Sequence, residues 1–160
     1  MSQSFLHARM RSVFASSLAA FDAGALLDSD GQILELKYET LADIGTLGHC
    51  ASIIAKYFPL QEGDVVIVND PYSGGTVLSS VTFITKVTLS QNSFFLVART
   101  GFKPMLMISQ KLDEEGLRIP PTPLIHKREI NSAILEAITS HPHCPVGFKE
   151  RLTSTSLKLF

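Results

Sequence analysis

Hydrophobic positions along this chain change period several times, and each change marks an element. Leu6, Met10, Val13, Phe14, Leu18 and Phe21 fall three and four apart, which predicts an amphipathic helix near Phe5–Phe21. Ala25-Leu26-Leu27-Asp28 and Gln32-Ile33-Leu34-Glu35-Leu36 then flank Ser29-Asp30-Gly31. An Asp-Gly pair between apolar runs predicts a hairpin, because both residues reach positive φ cheaply. Ile44, Leu47, Ala51, Ile54, Ala55 and Phe58 predict a second helix over Asp43–Phe58, and Pro59 ends it. After Glu62-Gly63-Asp64, the β-branched run Val65–Val68 reads as a buried strand. Val81–Leu89 alternates like a half-buried strand, Gln91-Asn92 turns it, and Phe94–Ala98 is its antiparallel partner.

Prolines punctuate the second half. Pro120, Pro121 and Pro123 argue against regular structure around them. Ile130, Ala133, Ile134, Ala137 and Ile138 predict a helix over Glu129–Ser140, which Pro142 and Pro145 break, and Val146–Phe160 suits a short last helix. The apolar stretch Pro104-Met105-Leu106-Met107-Ile108 reads equally as an internal strand or as an uncovered face that a partner buries. Helices and antiparallel strands are interspersed. The predicted class is therefore α+β: one domain over residues 1–160, mainly antiparallel sheet covered by helices.

Composition narrows the class of partner. At 160 residues and 45% hydrophobic content, the chain has the material for one sizeable core. Its 14 basic and 15 acidic side chains nearly cancel, so no basic stripe marks a nucleic-acid binder. No apolar run approaches the roughly 18 residues of a membrane-spanning helix. Arg9 and Arg11 before Ser12–Ala20 resemble a short signal peptide, but Asp22 interrupts the pattern and an amphipathic helix accounts for it better. Cys50 and Cys144 lie far apart without CxxC spacing, which favours a reducing, cytoplasmic setting, although the two could form one bridge.

Candidate chemistry gathers after the Val65–Val68 strand. Asp64, Asn69 and Asp70 precede the pair Gly74-Gly75, and loops after strands are where functional groups concentrate. The plainer alternative is that Asn69 and Asp70 cap the turn through Asx hydrogen bonds. No GxxxxGK[ST] phosphate loop and no GxSxG nucleophile elbow occurs. His141-Pro142-His143-Cys144 is the densest set of potential metal ligands, but it needs His126, His49 or Cys50 to complete a zinc site. Glu39, Asp43 and Asp70 are carboxylates that folding could bring together.

Gly63-Asp64-Val65-Val66-Ile67-Val68-Asn69-Asp70-Pro71-Tyr72-Ser73-Gly74-Gly75-Thr76 resembles the signature of the hydantoinase B/5-oxoprolinase family, which includes the metal-bearing subunits of acetone and acetophenone carboxylases. Glu115-Gly116-Leu117-Arg118-Ile119-Pro120-Pro121 looks like a second family signature, and Leu27-Asp28-Ser29-Asp30-Gly31 is similar to the family's DxDG turn. The His141–Pro145 stretch falls where the family has Asn-x-Arg-x-Pro. The match is collinear over roughly residues 10–150, and family chains are several times longer, so this chain would correspond to their N-terminal portion. The resemblance implies ligand-binding positions at Asn69, Asp70, Tyr72, Gly74, Gly75, Thr76 and Arg118.

The departures carry the functional expectation. The family loop continues to a His and an Asp, three apart, that bind metal; here Val77 and Ser80 stand in those places. Two family histidines between hairpin and helix correspond loosely to Glu39 and Asp43, and a His-His-x-Asp stretch is missing between Ala98 and Glu115. Valine cannot coordinate a metal, and a serine hydroxyl substitutes poorly for a carboxylate. The expectation is a non-catalytic relative without metal, cofactor or catalytic residues, acting as a binding or assembly subunit. It would associate with itself or with a hydantoinase A-type partner chain. The alternatives are a subunit of an active ATP-dependent hydantoinase, oxoprolinase or carboxylase whose partner completes the site, and a small-ligand sensor.

Overall fold

The computed structural model describes residues 3–102 and 116–160. Helix α1 (Gln3–Ser17) leads into the hairpin β1 (Ala23–Leu27) and β2 (Ile33–Lys37), followed by α2 (Leu41–Tyr57) and β3 (Val65–Val68). A 3-10 turn over Pro71–Ser73 precedes the long hairpin β4 (Ser80–Leu89) and β5 (Asn92–Gly101). The chain closes with β6 (Thr122–His126), β7 (Glu129–Ile130), α3 (Ser132–Thr139) and α4 (Phe148–Leu157). The seven strands form one sheet in the order β2-β1-β5-β4-β3-β6-β7, and every neighbouring pair of these strands is antiparallel. The class is α+β, as expected. The segment Pro104–Ile108, with its two readings, lies outside the described residues.

Period-two alternation gives each face of the sheet its own core. Leu26, Ile67, Phe83, Leu96 and Ala98 point to one side, where Met10 and Phe14 of α1, Leu135 of α3 and Phe148 and Leu152 of α4 cover them. Ala25, Leu27, Val66, Val68, Ile84 and Val97 point to the other, under Leu47, Cys50, Ala51 and Ile54 of α2. Helix α2 starts on a capping box: the Thr40 side chain meets the N3 backbone, and the Asp43 carboxylate accepts from the Thr40 N–H at 2.9 Å. Phe58 caps its other end, so Pro59 stops the helix where the sequence places the stop.

Four expectations needed correction. The first helix ends at Ser17; Leu18 and Phe21 are buried, but the chain is already turning toward β1. The helix expected from Glu129 begins only at Ser132, because Glu129–Ile130 pair with Ile125 and His126 around a Lys127-Arg128 turn of positive φ. The proline-rich stretch holds a strand after all. Pro123 lies opposite Val66, beside a register shift in the β3–β6 pairing, a position where a missing N–H is tolerated. The β4–β5 turn is also displaced by one residue, to Ser90 and Gln91, both with positive φ.

Candidate functional site

The loop after β3 is held from within. Asn69 is buried, and its Nδ2 donates to the carbonyls of Leu78 at 3.1 Å and Leu117 at 2.8 Å. Its Oδ1 accepts from the Ile119 N–H at 2.6 Å, and the Asn69 and Asp70 N–H groups both donate to the Ile119 carbonyl. One side chain thus staples the 69–78 loop to the 116–121 segment, joining two stretches that the sequence singled out separately. Asp70 Oδ1 accepts from the Tyr72 N–H and Oδ2 from the Ser73 hydroxyl, which caps the 3-10 turn. Asp70 therefore makes the capping bonds of the plainer reading, whereas the Asn69 side chain does not cap the turn but bonds across to the 116–121 segment.

Two glycines allow the loop to close. Gly74 sits at φ 96° against α2, where an added Cβ would come within 3.2 Å of the Cys50 Cα. Gly75 is tighter: a Cβ there would lie 2.2 Å from the carbonyl carbon and oxygen of Asn69. Thr76 has a buried hydroxyl with no hydrogen-bond partner among the described residues. Tyr72, 83% exposed, projects from the turn, and Arg118 is exposed on the adjoining segment. A narrow cleft beside the staple is lined by Asn69, Leu78, Ser79, Phe102, Leu117 and Phe148.

A charged cluster that sequence reading missed lies under α2. Arg99 shares the α2-facing side of β5 with Val97, and its guanidinium is buried. Its Nη1 donates to Asp43 Oδ1 at 2.7 Å and to the Thr46 hydroxyl at 3.1 Å, and its Nε donates to the Thr82 hydroxyl at 3.0 Å. Nη2 has no partner among the described residues. Burial works to raise the Asp43 carboxyl, but hydrogen bonds at Thr40 and the Arg99 charge outweigh it and hold it below the usual range. Burial pushes the nearby Cys50 thiol up to about 12, against the opposing pull of Arg99. That thiol is inert at neutral pH. The available signal was a single cation ending the apolar run Phe94–Ala98 in phase with its α2-facing residues.

The remaining candidates stay apart. Asp64 is bound by the N–H groups of Gln61 and Lys127 and by His126, whose Nδ1 lies 2.9 Å from Asp64 Oδ1. Burial raises that carboxyl, and these three contacts more than reverse the effect. His126 is thereby engaged with Asp64, and the rings of His141 and His143 lie tilted against each other with centroids 5.5 Å apart. Cys50 and Cys144 are both free thiols, so the possible bridge is not formed. Glu39 is exposed, Asp43 faces Arg99 and Asp70 caps its own turn.

At Val77 and Ser80, the positions where the resemblance implies metal ligands, the side chains present do not fit an ion. Val77 offers only an alkyl group, and the Ser80 hydroxyl donates to the Val77 carbonyl at 3.3 Å. Among the described residues, no three His, Cys, Asp or Glu side chains gather closely enough to hold one. Nor, among these residues, is any helix long and apolar enough to cross a membrane.

A seven-stranded antiparallel sheet with helices on both faces and an Asn-stapled loop at the end of β3 define an α+β domain. The model of the hydantoinase B/oxoprolinase family matches residues 20–154, and the chain belongs to that family. It is 27% identical over 135 residues to the uncharacterized protein MJ0963 of Methanocaldococcus jannaschii, covering 76% of this chain and 24% of that one. Among solved structures, it resembles the ATP-dependent caprolactamase from Pseudomonas jessenii, with a TM-score of 0.69 and 17% identity over 96% of this chain and 29% of that one. It also resembles a nucleotide-free acetone carboxylase, with a TM-score of 0.71 and 10% identity over 98% of this chain and 24% of that one. At those identities the two structures speak for the fold. The chain spans about a quarter of the length of the relatives it matches.

Proposed function

We propose that this chain is a single-domain, non-catalytic member of the hydantoinase B/oxoprolinase family that works as a binding or assembly subunit. The reading rests on the donor set: by the resemblance Val77 and Ser80 stand where the family's loop bears metal ligands, and neither side chain supplies a competent one. The family turn itself is kept, with Asn69, Asp70, Gly74 and Gly75 forming its frame. On this reading Tyr72 and Arg118 are the exposed side chains that touch a ligand or partner, while the Thr76 hydroxyl is buried within the loop. The partner is a second copy or a hydantoinase A-type chain. Two free thiols accord with a reducing, cytoplasmic setting.

A second reading draws support from length. The caprolactamase and acetone carboxylase chains that share this fold are three to four times longer, and both are named as ATP-dependent. A partner could then complete an active site around this domain. The two readings separate in one assay of ATP-dependent hydrolysis of caprolactam, hydantoin and 5-oxoproline. The non-catalytic reading expects no turnover by the purified chain and none after adding a hydantoinase A-type chain. Turnover by the pair alone would favour the second reading, and turnover by the chain alone would defeat both.

A further inference from the structure

We infer that the outer edge of β2 is the surface through which this chain associates with a second copy of itself, strand against antiparallel strand about a two-fold axis at Leu36. The inference rests on the assembly reading above and names its partner. Among the described residues, β2 ends the sheet on one side and no strand pairs with its outer edge. An open edge is a row of unpaired N–H and C=O groups, which proteins usually guard with proline or projecting charges. Strand β2 has no proline, and its two charges lie back on the domain. Glu35 takes the Arg11 guanidinium at 2.7 Å, and the Lys37 ammonium donates to the carbonyls of Leu18 and Phe21. Exposed apolar side chains gather at the same edge. Ile33, Leu34, Tyr38, Leu41 and Ile44 are all exposed, Leu41 by 82%. A Cβ on Gly48 would lie 3.4 Å from Ile33 Cδ1, so the face of α2 that carries Gly48 stands over the start of β2. Ile44 and Leu41, four and seven residues earlier, share that face. An apolar patch beside an open strand marks an interaction site.

The occupant follows from the order of charges along the strand. Two identical antiparallel strands related by a two-fold axis set one residue opposite its own copy. An axis at Glu35 or at Lys37 would put like charges face to face, which is destabilising. An axis at Leu34 would fall on the register shift, where Leu34 has no partner on β1 and the ladder is interrupted. An axis at Leu36 instead sets Glu35 opposite Lys37 of the second copy, twice, and brings Leu34 beside Tyr38. Leu36 itself packs on the α2 side of the sheet, so the two α2 helices flank the axis there and their exposed Leu41 and Ile44 side chains close over it. A strand with this order of side chains is complementary to itself, which selects a second copy over an unrelated chain.

The test is sedimentation velocity of the purified chain at micromolar concentration, with a cysteine cross-link to fix the register. The wild type is expected to sediment as a dimer. Leu34→Lys and Leu41→Glu, both at exposed positions, should sediment as monomers with the far-UV circular dichroism of the wild type. In a Cys144→Ser background, Leu36→Cys should form an intermolecular disulfide on mild oxidation, because the axis brings the two copies of that position together, and Glu35→Cys should not. If the charged variants lose their fold, the cross-link alone decides. A monomeric wild type, a dimer that both folded charged variants leave intact, or a cross-link through Glu35→Cys in place of Leu36→Cys would overturn the inference. A monomer without turnover would leave the non-catalytic reading standing, whereas a cross-linked dimer with turnover would defeat that reading and keep this one.

Discussion

Asn69 makes three hydrogen bonds to backbone groups that would otherwise be buried without partners, on both sides of the site loop. Asp70 and Gly75 serve the same loop by a cap and by the absence of a side chain. Such residues can persist in a family whatever chemistry the loop retains, whereas metal ligands have no structural duty once the ion is gone. Asp43 and Asp64 are the carboxylates with a pH consequence. Both fold into positions where partners hold their ionised forms, so their folded-state pKa values lie below the unfolded ones. Their stabilisation is complete above roughly pH 4 and is lost as pH falls through the folded-state values. Urea midpoints measured from neutrality down to about pH 3 should fall steeply at the acid end, and less so in Asp64→Asn. A flat profile for the wild type would count against the contacts described for both groups.

At the scale of elements, what was legible followed the hydrophobic period. The β4–β5 hairpin and α2 could be read from alternation and from three-and-four spacing, because each buries a single face. Strand β6 could not, because three prolines in four positions mask a segment whose β3 pairing shifts register at Pro123. The end of α1 was overrun for a related reason. Leu18 and Phe21 continue the helical spacing yet are buried from a turn, and periodicity cannot distinguish the two routes to one core. Helix α2 contains a position where propensity acts alone. Gly45 is exposed, and a Cβ there would meet nothing within 4 Å. Gly45→Ala should therefore raise stability by about 0.5–1 kcal/mol, seen as a higher urea midpoint at unchanged slope. A loss of stability would mean that α2 does not lie where it is described.

For the whole molecule, the family could be read in the sequence while the state of its site could only partly be read. The Gly63–Thr76 and Glu115–Pro121 stretches carried the resemblance, and in the structure the Asn69 side chain of the first bonds to Leu117 and Ile119 of the second. The buried charged pair under α2 could not be read. Arg99 lies more than fifty residues from Asp43, and only the sheet register brings the two together with Thr82. A pairing of that kind has no local signature. The central claim, that this chain contributes binding and not metal chemistry, is tested most directly by elemental analysis of the protein purified without chelators. The account predicts manganese, iron and zinc far below one per chain. One tightly held ion per chain, released by Asp70→Ala, would contradict it.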